Sequence, residues 1–236
     1  MKKSIIAFFS LLLLYSCIKE ESKTNLQLTG TIKGLKKGTL YIQRIVDTSL
    51  VAIDTIAIDG SSTFETNLKL DSPEMLYLFL DRGVTNSKDN NILFFAEPGK
   101  INIDTNLDSY IVSAKITGSK NQEKYEENQK INTRFRDENL DMIEQKFNAI
   151  KSNNPKAIDS LNAKQDNNTR RKYLFATNFA INNRDYEVSP YIALSDIYDI
   201  NLKYLDTIQK SMSPKVAKSL YGKKLTEYVT KIRKQE

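Results

Sequence analysis

The sequence predicts an α+β protein: an N-terminal antiparallel β-sandwich or barrel of about eight strands, then a C-terminal helical region. Three observations lead there. Between Leu26 and Gly118, short runs alternate apolar and polar residues, with turn residues between them. From Ser119 onward the apolar residues recur at helical spacing instead. The chain has 236 residues, 40% of them hydrophobic, which suffices for a real core.

Residues 1–16 read as an export signal of a lipoprotein. Lys2 and Lys3 give a positive start, and Ile5 to Tyr15 is an apolar run interrupted only by Ser10. That run falls well short of the ~20 residues a spanning helix needs and suits a signal-peptide core. It ends in Leu14-Tyr15-Ser16-Cys17, which resembles the lipobox of bacterial lipoproteins. Tyr15 is bulkier than that pattern usually carries. The resemblance implies that Cys17, the single cysteine of the chain, accepts diacylglycerol on its thiol and becomes the mature N-terminus. Two or more acyl chains make a stable membrane anchor, whereas one gives marginal binding. Residues 17–25 then form a lipidated cysteine and tether. Within it Lys19-Glu20-Glu21 resembles the export signal of surface lipoproteins in some Gram-negative bacteria. The expected location is the cell envelope, lipid-anchored at the outer membrane and exposed at the surface.

The strands follow in order. Leu26–Ile32 and Thr39–Ile45 alternate around a turn at Gly34 to Gly38, and further runs lie at Val51–Ile58, Thr63–Leu70, Met75–Leu80, Ile92–Ala96, Ile101–Asp104 and Ile111–Thr117. Asp59-Gly60-Ser61, Asp71-Ser72-Pro73, Asn86–Asn91 and Pro98-Gly99 supply turn chemistry between them. In the third run both alternating sets contain isoleucine, so the strand is expected to be covered on both faces. Residues 26–118 are thus read as a β-sandwich domain and 119–236 as a helical region.

In that region Tyr125, Ile131, Phe135, Met142, Ile143, Phe147 and Ile150 fit one long amphipathic helix ended by Asn153-Asn154-Pro155. A second helix is expected over Lys156–Asn183, with a polar patch at Asp166-Asn167-Asn168. Ser189-Pro190 and Ser213-Pro214 each suggest an N-cap followed by a first-turn proline, opening two further helices. Tyr191, Leu194, Ile197 and Tyr198 share a face of the first of these. Val216, Leu220, Leu225, Tyr228, Val229 and Ile232 are the apolar residues of the second.

Composition narrows the chemistry. There is no histidine and no tryptophan. The chain therefore lacks the commonest general base near neutral pH and the commonest transition-metal ligand. One cysteine forms no internal disulfide. The formal charge is +6, and removal of the leader takes away Lys2 and Lys3. The basic excess lies beyond Ser119, where Lys215, Lys218, Lys223, Lys224, Lys231, Arg233 and Lys234 crowd the end. These lysines read either as a solvated helix face or as attraction to lipid headgroups or acidic glycans. No nucleic-acid partner is expected.

Asp54 is the most interesting carboxylate, since a carboxyl group within an apolar run could be buried and perturbed. Glu97, Asp104 and Asp108 lie near one turn but lack the spacing of a calcium loop, and no metal or other cofactor is expected. Tyr173, Tyr186, Tyr191, Tyr198, Tyr204, Tyr221 and Tyr228 suggest either sugar stacking or core packing at helical spacing. No catalytic residue is assigned, and the chain is read as no enzyme.

A family resemblance covers Leu26 to about Lys231. Its marks are Gly30-Thr31-Ile32-Lys33-Gly34, Gly38-Thr39-Leu40-Tyr41-Ile42, Glu97-Pro98-Gly99-Lys100-Ile101-Asn102-Ile103 and Thr117-Gly118-Ser119. Ser189–Leu194 and Leu220–Leu225 add to them. The order resembles the N-terminal domain of unknown function that precedes a thioredoxin-like, peroxiredoxin-related domain in many bacterial lipoproteins. The Trp-Cys-x-x-Cys site of those thioredoxin-like domains has no counterpart in these residues, so thiol–disulfide chemistry does not carry over. Two functions are expected as alternatives. One is a non-catalytic binding or accessory module with an envelope protein or glycan as partner. The other is an accessory partner of a separate thioredoxin-like oxidoreductase.

Overall fold

The computed structural model describes residues 24–81 and 90–235. Eight strands form two four-stranded sheets that face each other as a sandwich and do not close into a barrel. They are β1 (Leu26–Lys33), β2 (Lys37–Val46), β3 (Ser49–Asp59), β4 (Thr63–Leu68), β5 (Glu74–Asp81), β6 (Asn91–Ala96), β7 (Gly99–Asn106) and β8 (Lys115–Thr117). One sheet has the order β4-β1-β7-β8 and the other β3-β2-β5-β6. All pairings are antiparallel except β1 with β7, which run parallel in the register Leu26 to Gly99. Leu28, Ile32, Leu40, Ile42, Leu78, Phe94 and Ile103 fill the space between the sheets.

Strand alternation also builds a third layer. Successive strand side chains point to opposite faces. Phe94 therefore enters the sandwich core, while Phe95 enters a second core shared with the helices. Met75 on β5 does the same. The helices over this face are α1 (Lys120–Lys151), α2 (Pro155–Asn182), α3 (Val188–Ser195), α4 (Leu202–Ser211), α5 (Pro214–Ala217) and α6 (Leu220–Arg233). Polar contacts also fasten them to the sandwich. The Phe95 N–H donates to Gln122 Oε1 at 2.7 Å, Met75 N–H to Tyr221 Oη at 2.9 Å, and Leu220 N–H to Ser72 Oγ at 3.0 Å. The Phe95 ring meets Tyr191 and Tyr221 edge-on, at centroid distances of 5.7 and 6.0 Å.

Several local expectations need correction. β3 is an edge strand with Leu50, Val51, Thr55 and Ala57 exposed, so it is not covered on both faces. Of the run Ile111–Thr117 only the last three residues pair as a strand. Before them, Asn106, Ser109 and Ser113 hold a turn by side-chain hydrogen bonds, and Tyr110 reaches into the sandwich to donate to Leu78 O at 3.1 Å. Ser189 is not an N-cap. α3 starts two residues earlier than expected, after Glu187, and the buried Ser189 hydroxyl donates to Ala180 O on α2 at 2.8 Å. Ser213 precedes a helix of only four residues, without a side-chain cap bond. The last helix is capped by Ser219, whose Oγ accepts from Gly222 N–H at 3.3 Å. The polar patch at Asp166-Asn167-Asn168 does not interrupt α2.

Candidate functional site

α1 and α2 run side by side, and their contact is unusually polar. Asn168 Nδ2 donates to Phe135 O at 2.8 Å, Gln165 Nε2 to Asn139 Oδ1 at 3.2 Å, and Lys146 Nζ approaches Gln165 Oε1 at 3.5 Å. Small polar side chains fill a helix interface less completely than leucines do. A cleft of about 390 Å³ opens here, within the size range of small-ligand sites. Gln129, Asn132, Phe135, Arg136 and Asn139 line it from α1. Asn168, Thr169, Lys172 and Tyr173 line it from α2, and Asp196 closes one end.

Asp196 orders this end of the cleft. It follows α3 directly, and its Oδ2 accepts from Asn128 Nδ2 at 3.1 Å and Asn132 Nδ2 at 2.9 Å. Its Oδ1 accepts from the Ser195 hydroxyl at 2.8 Å. A carboxylate only accepts, so both amides must turn their NH2 groups toward it. Their carbonyl oxygens then point elsewhere, and neither finds a donor although both are buried. Asn168 has the same imbalance: its NH2 is used on Phe135 O and its buried Oδ1 is left unmet. Unsatisfied buried acceptors are costly and uncommon. Two of them, on Asn132 and Asn168, belong to residues that line the cleft, and the third, on Asn128, lies buried behind it. Arg136 and Lys172 add positive charge, and Tyr173 donates its hydroxyl to Asp199 at 2.8 Å. That hydrogen bond, with burial and the Asp199 charge, pushes the Tyr173 phenol up to about 12.

A second polar centre lies where sandwich and helices join. Asn121 donates to Glu97 Oε2 at 2.6 Å and to Glu187 Oε2 at 2.9 Å, and accepts from Val188 N–H at 2.9 Å. Lys215 pairs with Glu187 at 3.3 Å. These groups satisfy one another and serve the joint. Nearby, Arg44 pairs with Glu74 at 3.0 Å. Burial pushes the Glu74 carboxyl above the ordinary range, against the pull of Arg44 and Lys224.

The residues marked in the sequence are distributed differently. Cys17, Leu14, Tyr15, Ser16, Lys19, Glu20 and Glu21 lie outside the described residues. Asp54 is half-buried on the edge strand and accepts from the Thr66 hydroxyl. Glu97 belongs to the Asn121 centre, Asp104 accepts from Asn102 Nδ2 at 2.7 Å, and Asp108 is exposed. Among the described residues no acidic group, histidine or cysteine cluster suits a metal ion, and no helix is long and apolar enough to cross a membrane. Of the tyrosines, Tyr191 and Tyr221 are packing residues 5.0 Å apart, while Tyr198 is more than half exposed. Only Tyr173 lines the cleft. Sequence reasoning missed Asn128, Asn132, Asn168 and Asp196. The signal for the three asparagines was an excess of that residue on the inward face of α1 and α2, where leucine would be expected.

No curated protein and no solved structure matches the chain. Residues 26–125, which comprise the sandwich and the first turns of α1, match the family model of a domain of unknown function, DUF4369.

Proposed function

We propose that this protein is a lipid-anchored, non-catalytic binding module of the cell envelope. Cys17 moors it to the outer membrane, and the α1–α2 cleft takes a hydroxyl-rich ligand of the glycan class. The observation that carries the binding half is that two asparagines lining the cleft, Asn132 and Asn168, keep amide oxygens without a donor. Sugar hydroxyls are donors that such oxygens can accept from, and displaced water is replaced without loss of hydrogen bonds. Arg136 and Lys172 at the same cleft favour a ligand with acidic groups. Support for the anchor is the apolar run ending in Leu14-Tyr15-Ser16-Cys17, with the one cysteine at the position a lipobox requires. Absence of histidine from the sequence, and an Asp196 carboxylate already held by two amides, support a non-catalytic role.

Titration calorimetry of the full chain with oligogalacturonate and with a neutral glucan tests the ligand. The acidic oligomer should bind, and Asn132→Ala with Lys172→Ala should weaken it at least tenfold. No heat with either oligomer would contradict the glycan assignment. The anchor is tested separately: Cys17→Ser should leave an unprocessed precursor that takes up no radioactive fatty acid, and normal labelling would contradict it. A second reading, an accessory partner of a separate thioredoxin-like chain, rests on the sequence motifs from Gly30 to Ser119, which resemble domains found ahead of thioredoxin-like ones. Co-purification of a thioredoxin-like protein from solubilised envelopes would support that reading over the first.

A further inference from the structure

We propose that the distal half of α1 is a dimer interface whose occupant is a second copy of this chain, running antiparallel. Four large apolar side chains stand on one face there: Leu140, Ile143, Phe147 and Ile150, exposed to 56, 48, 57 and 54%. α2 covers a different face of α1, the one carrying Phe135, Met142 and Ala149. The exposed four are spaced three, four and three residues apart, which is the seam of a coiled coil. That spacing reads the same in both chain directions. A two-fold axis at the height of Gln145, passing between Ile143 and Phe147, therefore sets Leu140 against Ile150 of the second copy and Ile143 against its Phe147, leaving no layer empty.

Charge selects the direction. Asp137, Glu144 and Lys151, all exposed, border the seam on the side away from α2. In the antiparallel arrangement equal edges meet, so Asp137 lies beside Lys151 of the second copy, twice per dimer. Parallel pairing would instead bring Lys146 beside Lys151, like against like. The antiparallel form carries one opposing feature, Glu144 facing its own copy across the axis. It makes the dimer weak, and Glu144→Gln should strengthen it. This inference is independent of what the cleft binds.

Crosslinking in intact cell envelopes tests it with the full chain. Asp137→Cys and Lys151→Cys are placed in one chain and treated with a mild oxidant, with the native chain as control for Cys17. The double variant should give a crosslinked dimer. Each single variant should give none beyond the control, because its two thiols lie about 20 Å apart across the axis at 1.5 Å rise per residue. Adding Phe147→Glu to the double variant should abolish the crosslink, with helical circular dichroism unchanged. A dimer from either single variant, beyond the control, would set position 137 or 151 against its own copy, which the antiparallel register forbids, and would overturn the proposal. So would no crosslink from the double variant, or a crosslink that survives Phe147→Glu. In that case loss of binding to phosphatidylglycerol vesicles by Phe147→Glu would assign the seam to a lipid surface.

Discussion

A single hydrogen in place of a methyl group allows β1 and β7 to lie as close as they do. A Cβ on Gly30 would stand 2.1 Å from Ile103 O and 2.5 Å from the Phe64 ring, a backbone atom and a buried core side chain. Neither can move far in a packed sandwich, so Gly30→Ala should destabilise the fold by about 1–3 kcal/mol in denaturant melts, the range of overpacking. The sequence reading already placed Gly30 inside the strand Leu26–Ile32, but not what it packs against. Close approach of a neighbouring strand is a long-range fact that local alternation does not encode. The buried tyrosines give a second residue-scale outcome. Burial raises the Tyr125 phenol to about 12 from 10.0, and raises Tyr191 and Tyr221 as well. The unfolded chain thus loses these protons first. Their contribution to stability is complete below pH 10.0 and falls as pH climbs toward about 12. Melts across that window should show a declining midpoint, with phenolate absorbance of these rings appearing only on unfolding.

Helices show where pattern reading succeeds and where it merges two signals. The periodic residues of α1 were assigned to one amphipathic face, but Tyr125, Ile131, Phe135 and Met142 turn inward while Ile143, Phe147 and Ile150 stand about half exposed. Over 32 residues a drift of face is invisible to a count of apolar positions, because each subset separately fits the helical period. Asparagine had the opposite fate. It reads as a poor helix former and a surface residue, and in α1 and α2 it builds the wall of the cleft instead. If Asn168 is retained for a ligand rather than for the fold, Asn168→Leu should leave stability within about 1 kcal/mol of the native protein, or raise it. It should also abolish binding of oligogalacturonate. A large loss of stability would make Asn168 a structural residue and remove one wall of the proposed site.

At the scale of the whole molecule, the order of strands before helices was legible because the apolar period changes once, near Ser119. Two-layer packing followed from alternation. The third layer did not, since only the structure shows that Phe95 and Met75 leave the sandwich to meet Tyr191 and Tyr221. The cleft was not legible at all, because it depends on residues from two helices converging with Asp196, just beyond a third. Location, by contrast, rests on sequence alone. Replacing Lys19, Glu20 and Glu21 together by alanine should reduce protease accessibility on whole cells while fatty-acid labelling stays normal. Anchoring at Cys17 is the claim on which the function depends, and mass spectrometry of the protein purified from native envelopes tests it most directly. The account predicts an N-terminal peptide that begins at Cys17 and carries a diacylglyceryl group. A free Cys17 thiol, or residues 1–16 still attached, would contradict it.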